Sequence, residues 1–120
     1  MKSGKLLIYG THGTYGRDDD AYGTLLAANS ALAKGMEVSI VLVDDGVAMS
    51  KKNQNTAKVG MPNNLDDFED FFALDGILYV VKESLEERGI GEEEIIEEAK
   101  PISISDVGNI IEEHNISLTF

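Results

Sequence analysis

Short apolar runs of strand length alternate along this 120-residue chain with amphipathic segments of helical length. The runs cover Lys5 to Tyr9, Glu37 to Val43, Ile77 to Val81, Ile102 to Ile104 and Ile116 to Phe120. Such alternation is typical of βαβ units, in which helices cover both faces of a parallel sheet. We therefore predict a three-layer α/β/α domain with a mainly parallel, doubly wound sheet of five strands.

The segments between the runs are predicted to be helical. Asp20 to Lys34 places Ala21, Leu25, Ala28 and Leu32 on one stripe, and Gly35 follows as a left-handed stop. The same reasoning predicts four further helices: Leu65 to Leu74 after an Asn64 cap, a short helix opened by a Ser84–Glu87 capping box and ended by Gly89, Glu92 to Lys100, and Asp106 to Glu113 after a Ser105 cap. Ser50 to Asn64 is predicted to be a long exposed loop.

Length and composition limit the class of protein. A chain of 120 residues is the usual size of one domain, so we assign residues 1–120 to a single unit. The absence of cysteine excludes disulfides, thiolate metal sites and a cysteine nucleophile. A glutamate-rich chain without cysteine or tryptophan is also typical of a thermophile.

Charge limits the partners. Ten basic against 22 acidic residues give a net charge of −12, which repels nucleic acids and anionic membranes. The N-terminus has no long apolar region of the kind found in signal peptides, and no apolar stretch approaches the roughly 18 residues of a membrane span. We therefore expect a cytoplasmic protein with no cofactor and no resident metal.

Three loops follow the carboxyl ends of predicted strands, where open parallel sheets bind ligands: Gly10 to Asp20, Asp44 to Met49, and Lys82 to Ser84. The first, Gly10 to Arg17, is one candidate for binding a small anion or nucleotide through backbone N–H groups. Its glycines match neither common phosphate-binding motif. A tight turn, with Asp18 to Asp20 complementing the helix dipole, is the competing interpretation.

Two histidines and an acidic turn are the other candidates. His12 is placed to act as a general acid or base, or else is a solvated loop residue. His114 is expected to contact the carbonyls that end the last helix. Asp44 and Asp45, with His12 and the cluster Asp18 to Asp20, have the oxygen-rich chemistry of a Mg²⁺ or Ca²⁺ site. A turn with solvated carboxylates is the interpretation that we favour, because Asp-Gly is a common turn dipeptide. Lys51, Lys52 and Lys58 are interpreted as solvated charges, with binding of an anionic partner as the alternative.

Several segments in this order resemble the DsrE/DsrF/TusD-like sulfur-relay family. They are the strand and Gly-Thr-x-Gly opening from Leu6 to Gly16, Ala33 to Val38, Val43 to Val47, Leu78 to Val81 followed by Ser84-Leu85-Glu86-Glu87-Arg88-Gly89-Ile90, and Ile116 to Phe120. The resemblance covers nearly the whole chain. It implies a DsrE-like fold of the doubly wound, flavodoxin or Rossmann type, and a homo-oligomer that is a trimer or hexamer.

The resemblance also implies a cysteine at the end of the strand before the Ser-Leu-x-x-Arg-Gly segment, and Val81 stands there instead. Our first hypothesis is a non-catalytic, DsrE-like binding, accessory or regulatory subunit with a possible protein partner. Its cleft would be lined by Thr11, His12, Gly13, Thr14, Tyr15, Asp44 and Val81. The alternatives are a metal- or His12-assisted hydrolase, a small-anion or nucleotide binder using the loop after the first strand, and a purely structural subunit.

Overall fold

The computed structural model describes residues 4–12, 20–52 and 64–120. Within these ranges the strands form one parallel five-stranded sheet in the order β4-β3-β2-β1-β5. The strands are β1 Lys5–Gly10, β2 Glu37–Leu42, β3 Ile77–Val81, β4 Lys100–Ile102 and β5 Ile116–Thr119. The predicted α/β class and five-stranded parallel sheet are therefore confirmed.

Four α-helices and three 3-10 helices connect the described parts of the strands. The α-helices are α1 Asp20–Ala33, α2 Asn64–Ala73, α3 Lys82–Glu87 and α4 Val107–Glu112. The 3-10 helices are Asp44–Ser50, Glu92–Glu94 and Ile104–Asp106. Gly35 and Gly89, predicted to end helices, have positive φ angles of 88° and 66°, which a glycine adopts without strain. No helix of the described residues is long and apolar enough to cross a membrane.

The larger apolar core lies on one face of the sheet, here called the α1 face. Even-numbered residues of β1 and β2 point to this face, and α1, α2 and α3 cover it. Leu25, Ala28 and Leu32 of the predicted α1 stripe are buried there. The other fully buried large side chains of this core are Ile8, Ile40, Leu42, Val47, Met49, Phe68, Phe71, Leu78 and Leu85.

The opposite face, the α4 face, carries a smaller core of Leu7, Val41, Val81 and Ile110. The chain runs from β1 outward to β4 and then returns past β1 to form β5. Because connections between parallel strands are right-handed, this return places α4 on the face opposite α1. The predicted three-layer arrangement follows from that reversal.

The predicted helix from Glu92 to Lys100 is wrong. Only Glu92–Glu94 forms a 3-10 turn, and the chain then runs on to β4. The Ile96 N–H donates to the Ser50 carbonyl at 2.8 Å, and Lys51 forms an isolated bridge with Ile95. These bonds to a distant segment outweigh the helical propensity of the glutamates.

Two predicted caps are also wrong. Ser84 lies inside α3, which follows β3 without a loop, so the capping box does not form. Ser103 rather than Ser105 opens the last helical region, because its hydroxyl accepts from the Ser105 N–H and Asp106 closes the reciprocal bond. As a result β4 lies two residues earlier than predicted, and α4 begins at Val107.

Candidate functional site

The strand order reverses between β1 and β5, so the ligand-binding crevice of such a sheet is expected at the carboxyl ends of these two strands. Thr11 and Phe120 lie there. The Thr11 backbone N–H donates to the Phe120 carbonyl at 2.8 Å, and the Thr11 hydroxyl donates to the same oxygen at 2.6 Å. Both Thr11 donors are therefore engaged by the protein's own backbone.

His12 is exposed beside Thr11. Because the Thr11 hydroxyl gives its proton to Phe120, its oxygen accepts from His12 Nδ1 at 3.1 Å. In a neutral ring this bond places the proton on Nδ1. The other predicted residues of this loop, Gly13, Thr14 and Tyr15, lie outside the described residues, as do Asp18, Asp19 and Lys58.

A second group of contacts forms where β2 and β3 end. Asp44 has a positive φ of 53°, unusual for a residue with a side chain, and opens the 3-10 helix Asp44–Ser50. Its backbone N–H donates to the buried Ser84 hydroxyl at 3.0 Å. Arg88 Nε donates to Asp45 Oδ1 at 3.0 Å, and its Nη1 donates to the Ser84 carbonyl at 3.2 Å. Asp44 is thus a turn residue held by α3.

The turn after β2 packs tightly against the end of β1. The Val43 N–H donates to the Gly10 carbonyl at 3.1 Å. A side chain at Gly46 would overlap the Gly10 carbonyl oxygen, so this position requires glycine. The two contact groups are therefore joined by backbone.

Val81 is the last residue of β3 and the residue that precedes the first turn of α3. Its side chain is 1% exposed and packs with Leu7, Val41 and Ile110 on the α4 face. It therefore fills a core position and does not line an open cleft. This placement differs from our expectation that Val81 shares a cleft with the residues of the first loop.

The acidic residues of this edge do not form a metal centre in the described part of the chain. Among the residues described, no three His, Asp or Glu side chains lie close enough together to hold a metal ion. Asp45 pairs with Arg88 instead. The Asp-Gly turn is therefore the interpretation that the geometry of Asp44 and Asp45 favours.

Glu83 ties α3 to the segment before α4. Its carboxylate accepts from the Ile104 N–H and from the Ser103 hydroxyl, each at 3.0 Å. Hydrogen bonds from its own backbone N–H and from Ile104 lower the pKa of this carboxyl, and Ser103 contributes less. The carboxylate form is thereby favoured.

His114 behaves as predicted. Its Nδ1 donates to the Ile110 carbonyl at 2.6 Å, near the C-terminus of α4. Its Nε2 also bonds to the hydroxyl of Ser39 on β2 at 3.1 Å, which the sequence did not indicate. The pair lines a cavity of about 340 Å³ at the amino edge of the sheet, away from the strand-end turns. We interpret the pair as an anchor of α4 on the sheet.

Sequence reasoning missed three residues that organise the carboxyl edge: Ser84, Arg88 and Phe120. Ser84 and Arg88 stand at fixed positions of the Ser-Leu-x-x-Arg-Gly segment, which was the available indication of their role. Their contacts with Asp44 and Asp45 join segments about 40 residues apart, as the separations of 40 and 43 show. No local pattern reports such a contact.

The described residues form a parallel α/β fold whose strand order reverses between β1 and β5 and whose strand-end turns are joined by backbone hydrogen bonds. This arrangement defines the class of the protein. The model of the DsrE/DsrF-like family matches residues 4–120. The chain belongs to the DsrE/DsrF-like family, and the resemblance noted from the sequence is confirmed.

The chain is similar to two uncharacterized proteins over nearly its whole length. It is 34% identical over 116 residues to the uncharacterized protein MJ0989 of Methanocaldococcus jannaschii, covering 97% of this chain and 99% of that protein. It is 33% identical over 106 residues to the uncharacterized protein MK0008 of Methanopyrus kandleri, covering 88% of this chain and 85% of that one. Both similarities extend over nearly the whole fold.

Two solved structures share the fold. The crystal structure of the ychN protein from E. coli superposes with a TM-score of 0.83 at 18% identity, covering 97% of this chain and 98% of that one. The protein of unknown function MTH1491 from Methanobacterium thermoautotrophicum gives a TM-score of 0.72 at 11% identity, with the same coverages. At these identities the similarity supports the architecture alone.

Proposed function

We propose that this chain is a non-catalytic member of its family, a binding, accessory or regulatory subunit of a homo-oligomer related to sulfur-relay proteins. The observation that carries the proposal is Val81. The family resemblance expects a sulfur-carrying cysteine at this position, whereas the valine is 1% exposed within an apolar cluster. The whole chain contains no cysteine.

No neighbouring hydroxyl replaces the missing thiol in the described segment. Ser84, three residues further along, is 3% exposed, and its oxygen accepts the Asp44 N–H. A nucleophile has to be reached by its substrate and needs a base to activate it, and Ser84 is shielded from solvent. The position therefore supports structure rather than group transfer.

Apolar side chains at the surface support assembly into an oligomer. Strand β5 is an edge strand of the described sheet, and its Ile116 and Leu118 are 48% and 42% exposed. Ile111 on α4 is 49% exposed. Exposed apolar residues beside an unpaired strand edge are typical of surfaces that other chains cover. A trimer or hexamer, as the resemblance implies, remains our proposal.

Two measurements test this function. Native mass spectrometry over a range of concentrations should give a trimer or hexamer, and a strict monomer would contradict the oligomer. Incubation with a low-molecular-weight persulfide, followed by intact-mass analysis, should leave the mass unchanged. A stable sulfur adduct on this cysteine-free chain would contradict the non-catalytic assignment.

A further inference from the structure

An apolar groove on α2 lies away from the strand-end turns. It has a volume of about 530 Å³, within the range of about 300–1,000 Å³ that is typical of ligand sites. Its lining consists of Leu65, Phe68, Glu69, Phe72, Ala73, Ile96 and Glu98. Five of these residues are apolar and two are exposed glutamates, so an apolar floor carries an acidic rim.

The groove is formed before any partner arrives. On one wall the Phe68 and Phe72 rings stack with their centroids 5.8 Å apart, and Phe71 packs edge-on against both. The opposite wall, around Ile96, is fixed by the bond from its N–H to the Ser50 carbonyl and by the Lys52 N–H bond to Glu94. A partner therefore binds without first ordering these walls, which reduces the entropic cost of association.

The two segments that line the groove, α2 and residues 92–98, carry charge of one sign. Helix α2 contains four acidic residues and no basic one, and residues 92–98 contain five glutamates and no basic residue. The crowding of negative charge affects Asp67, whose pKa is raised by burial and further by the charges of Asp70 and Asp66. A second copy of this face, a nucleic acid or an anionic membrane would be repelled.

We propose that this groove binds a basic amphipathic helix of a partner protein. The apolar stripe of such a helix would cover Phe72 and Ile96, and its flanking Lys or Arg side chains would meet Glu69 and Glu98. This is the helix-in-groove mode of recognition, in which apolar anchors supply affinity and charge complementarity supplies orientation and association rate. The inference rests on the proposed function, because it identifies the partner chemistry of an accessory subunit.

The test uses a fluorescent synthetic peptide of leucine and lysine arranged as an amphipathic helix, titrated with the full chain. Anisotropy should report saturable binding that weakens as salt is added. The Glu69→Lys/Glu98→Lys variant should bind at least about tenfold more weakly, because each reversal turns a rim attraction into repulsion. The control Glu86→Lys/Glu112→Lys changes the net charge equally at exposed positions outside the groove and should bind nearly as the parent chain does.

A second pair of experiments separates the groove from general attraction to an acidic protein. A peptide of the same composition in scrambled order lacks the apolar stripe and should bind much more weakly. Phe72→Ala should also weaken binding, with circular dichroism confirming that the variant is folded. Equal binding of the scrambled peptide, or equal loss in the rim variant and its control, would overturn the proposal.

Native mass spectrometry of the same samples keeps this proposal separate from the proposed function. An oligomer that ignores the amphipathic peptide would refute the groove assignment and leave the accessory role intact. A monomer that ignores the peptide would refute both. Peptide binding at the groove by a monomer would support the groove and contradict only the oligomer.

Discussion

A Val81→Cys variant restores the thiol that the family resemblance expects, and the structure predicts that this thiol will be unreactive. Val81 is 1% exposed and is surrounded by Leu7, Val41 and Ile110. Burial in apolar surroundings disfavours the thiolate, which is the reactive form of cysteine. A reagent can also reach the thiol only when the junction of β3 and α3 opens.

The size of the effect follows from this packing. Replacing valine by the slightly smaller cysteine in a closed cluster should cost about 0.5–1.5 kcal/mol, as for loss of one buried methyl group. If exposure of the thiol requires a local opening of about 3 kcal/mol, its reaction rate falls by about two orders of magnitude relative to an open position. The variant should therefore fold and still react slowly.

The assay compares Val81→Cys with Glu86→Cys, an exposed position on α3, the short helix that follows Val81. The rate of reaction with an aromatic disulfide is measured under native conditions and again in denaturant, where the two variants should react alike. Transfer from a persulfide donor is then followed by intact mass. A native Val81→Cys thiol that reacts as fast as Glu86→Cys would refute the argument, because position 81 would then lack only its thiol.

Three further predictions concern the framework around this edge. Gly46→Ala forces a side chain onto the Gly10 carbonyl and should lower the free energy of unfolding, measured by urea titration, by about 2 kcal/mol or more. The control Gly108→Ala, whose added methyl group meets no neighbour, should be neutral or stabilising. Equal effects of the two substitutions would contradict the close approach of Gly46 to Gly10. Ser84→Ala removes the acceptor of the Asp44 N–H and should cost about 1–2 kcal/mol, measured in the same way, and an unchanged midpoint would argue against that bond. Glu83→Gln should lower the melting temperature at pH 7. Because folding lowers the pKa of Glu83 below 4.5, the stability that its carboxylate contributes is present above that pH and is lost as the pH falls through the folded value. A difference in melting temperature from the parent chain that persists at pH 2 would refute this assignment.

The strands were predictable because their apolar runs are short, continuous and punctuated by glycine. Ile77–Val81 has the predicted limits, and β1, β2 and β5 differ from the prediction by one residue at one end. Residues 92–100 were not predictable in the same way. Their glutamates favour a helix, but the backbone bonds of Ile96 and Lys52 join them to a distant segment, and only the folded chain brings these groups together.

The candidate site was predicted only in part. The position of Thr11, Asp44 and Val81 at the carboxyl ends of strands followed from the βαβ pattern. The pattern contained no information about which hydrogen bonds were already satisfied. It therefore did not predict that the Phe120 carbonyl accepts both hydrogen bonds from Thr11, or that Val81 is buried in the core.

The pairing of β5 with β1 joins the most distant parts of the sequence, with Lys5 bonded to Asn115 across a separation of 110 residues. Strands β1, β2 and β3 close shorter loops, so the entropy of loop closure favours their pairing first. Until β5 arrives, one edge of β1 is open and the Thr11 donors lack their Phe120 partner. We expect the crevice edge to be the last part of the sheet to form during folding and the first to expose a strand edge when the chain unfolds locally.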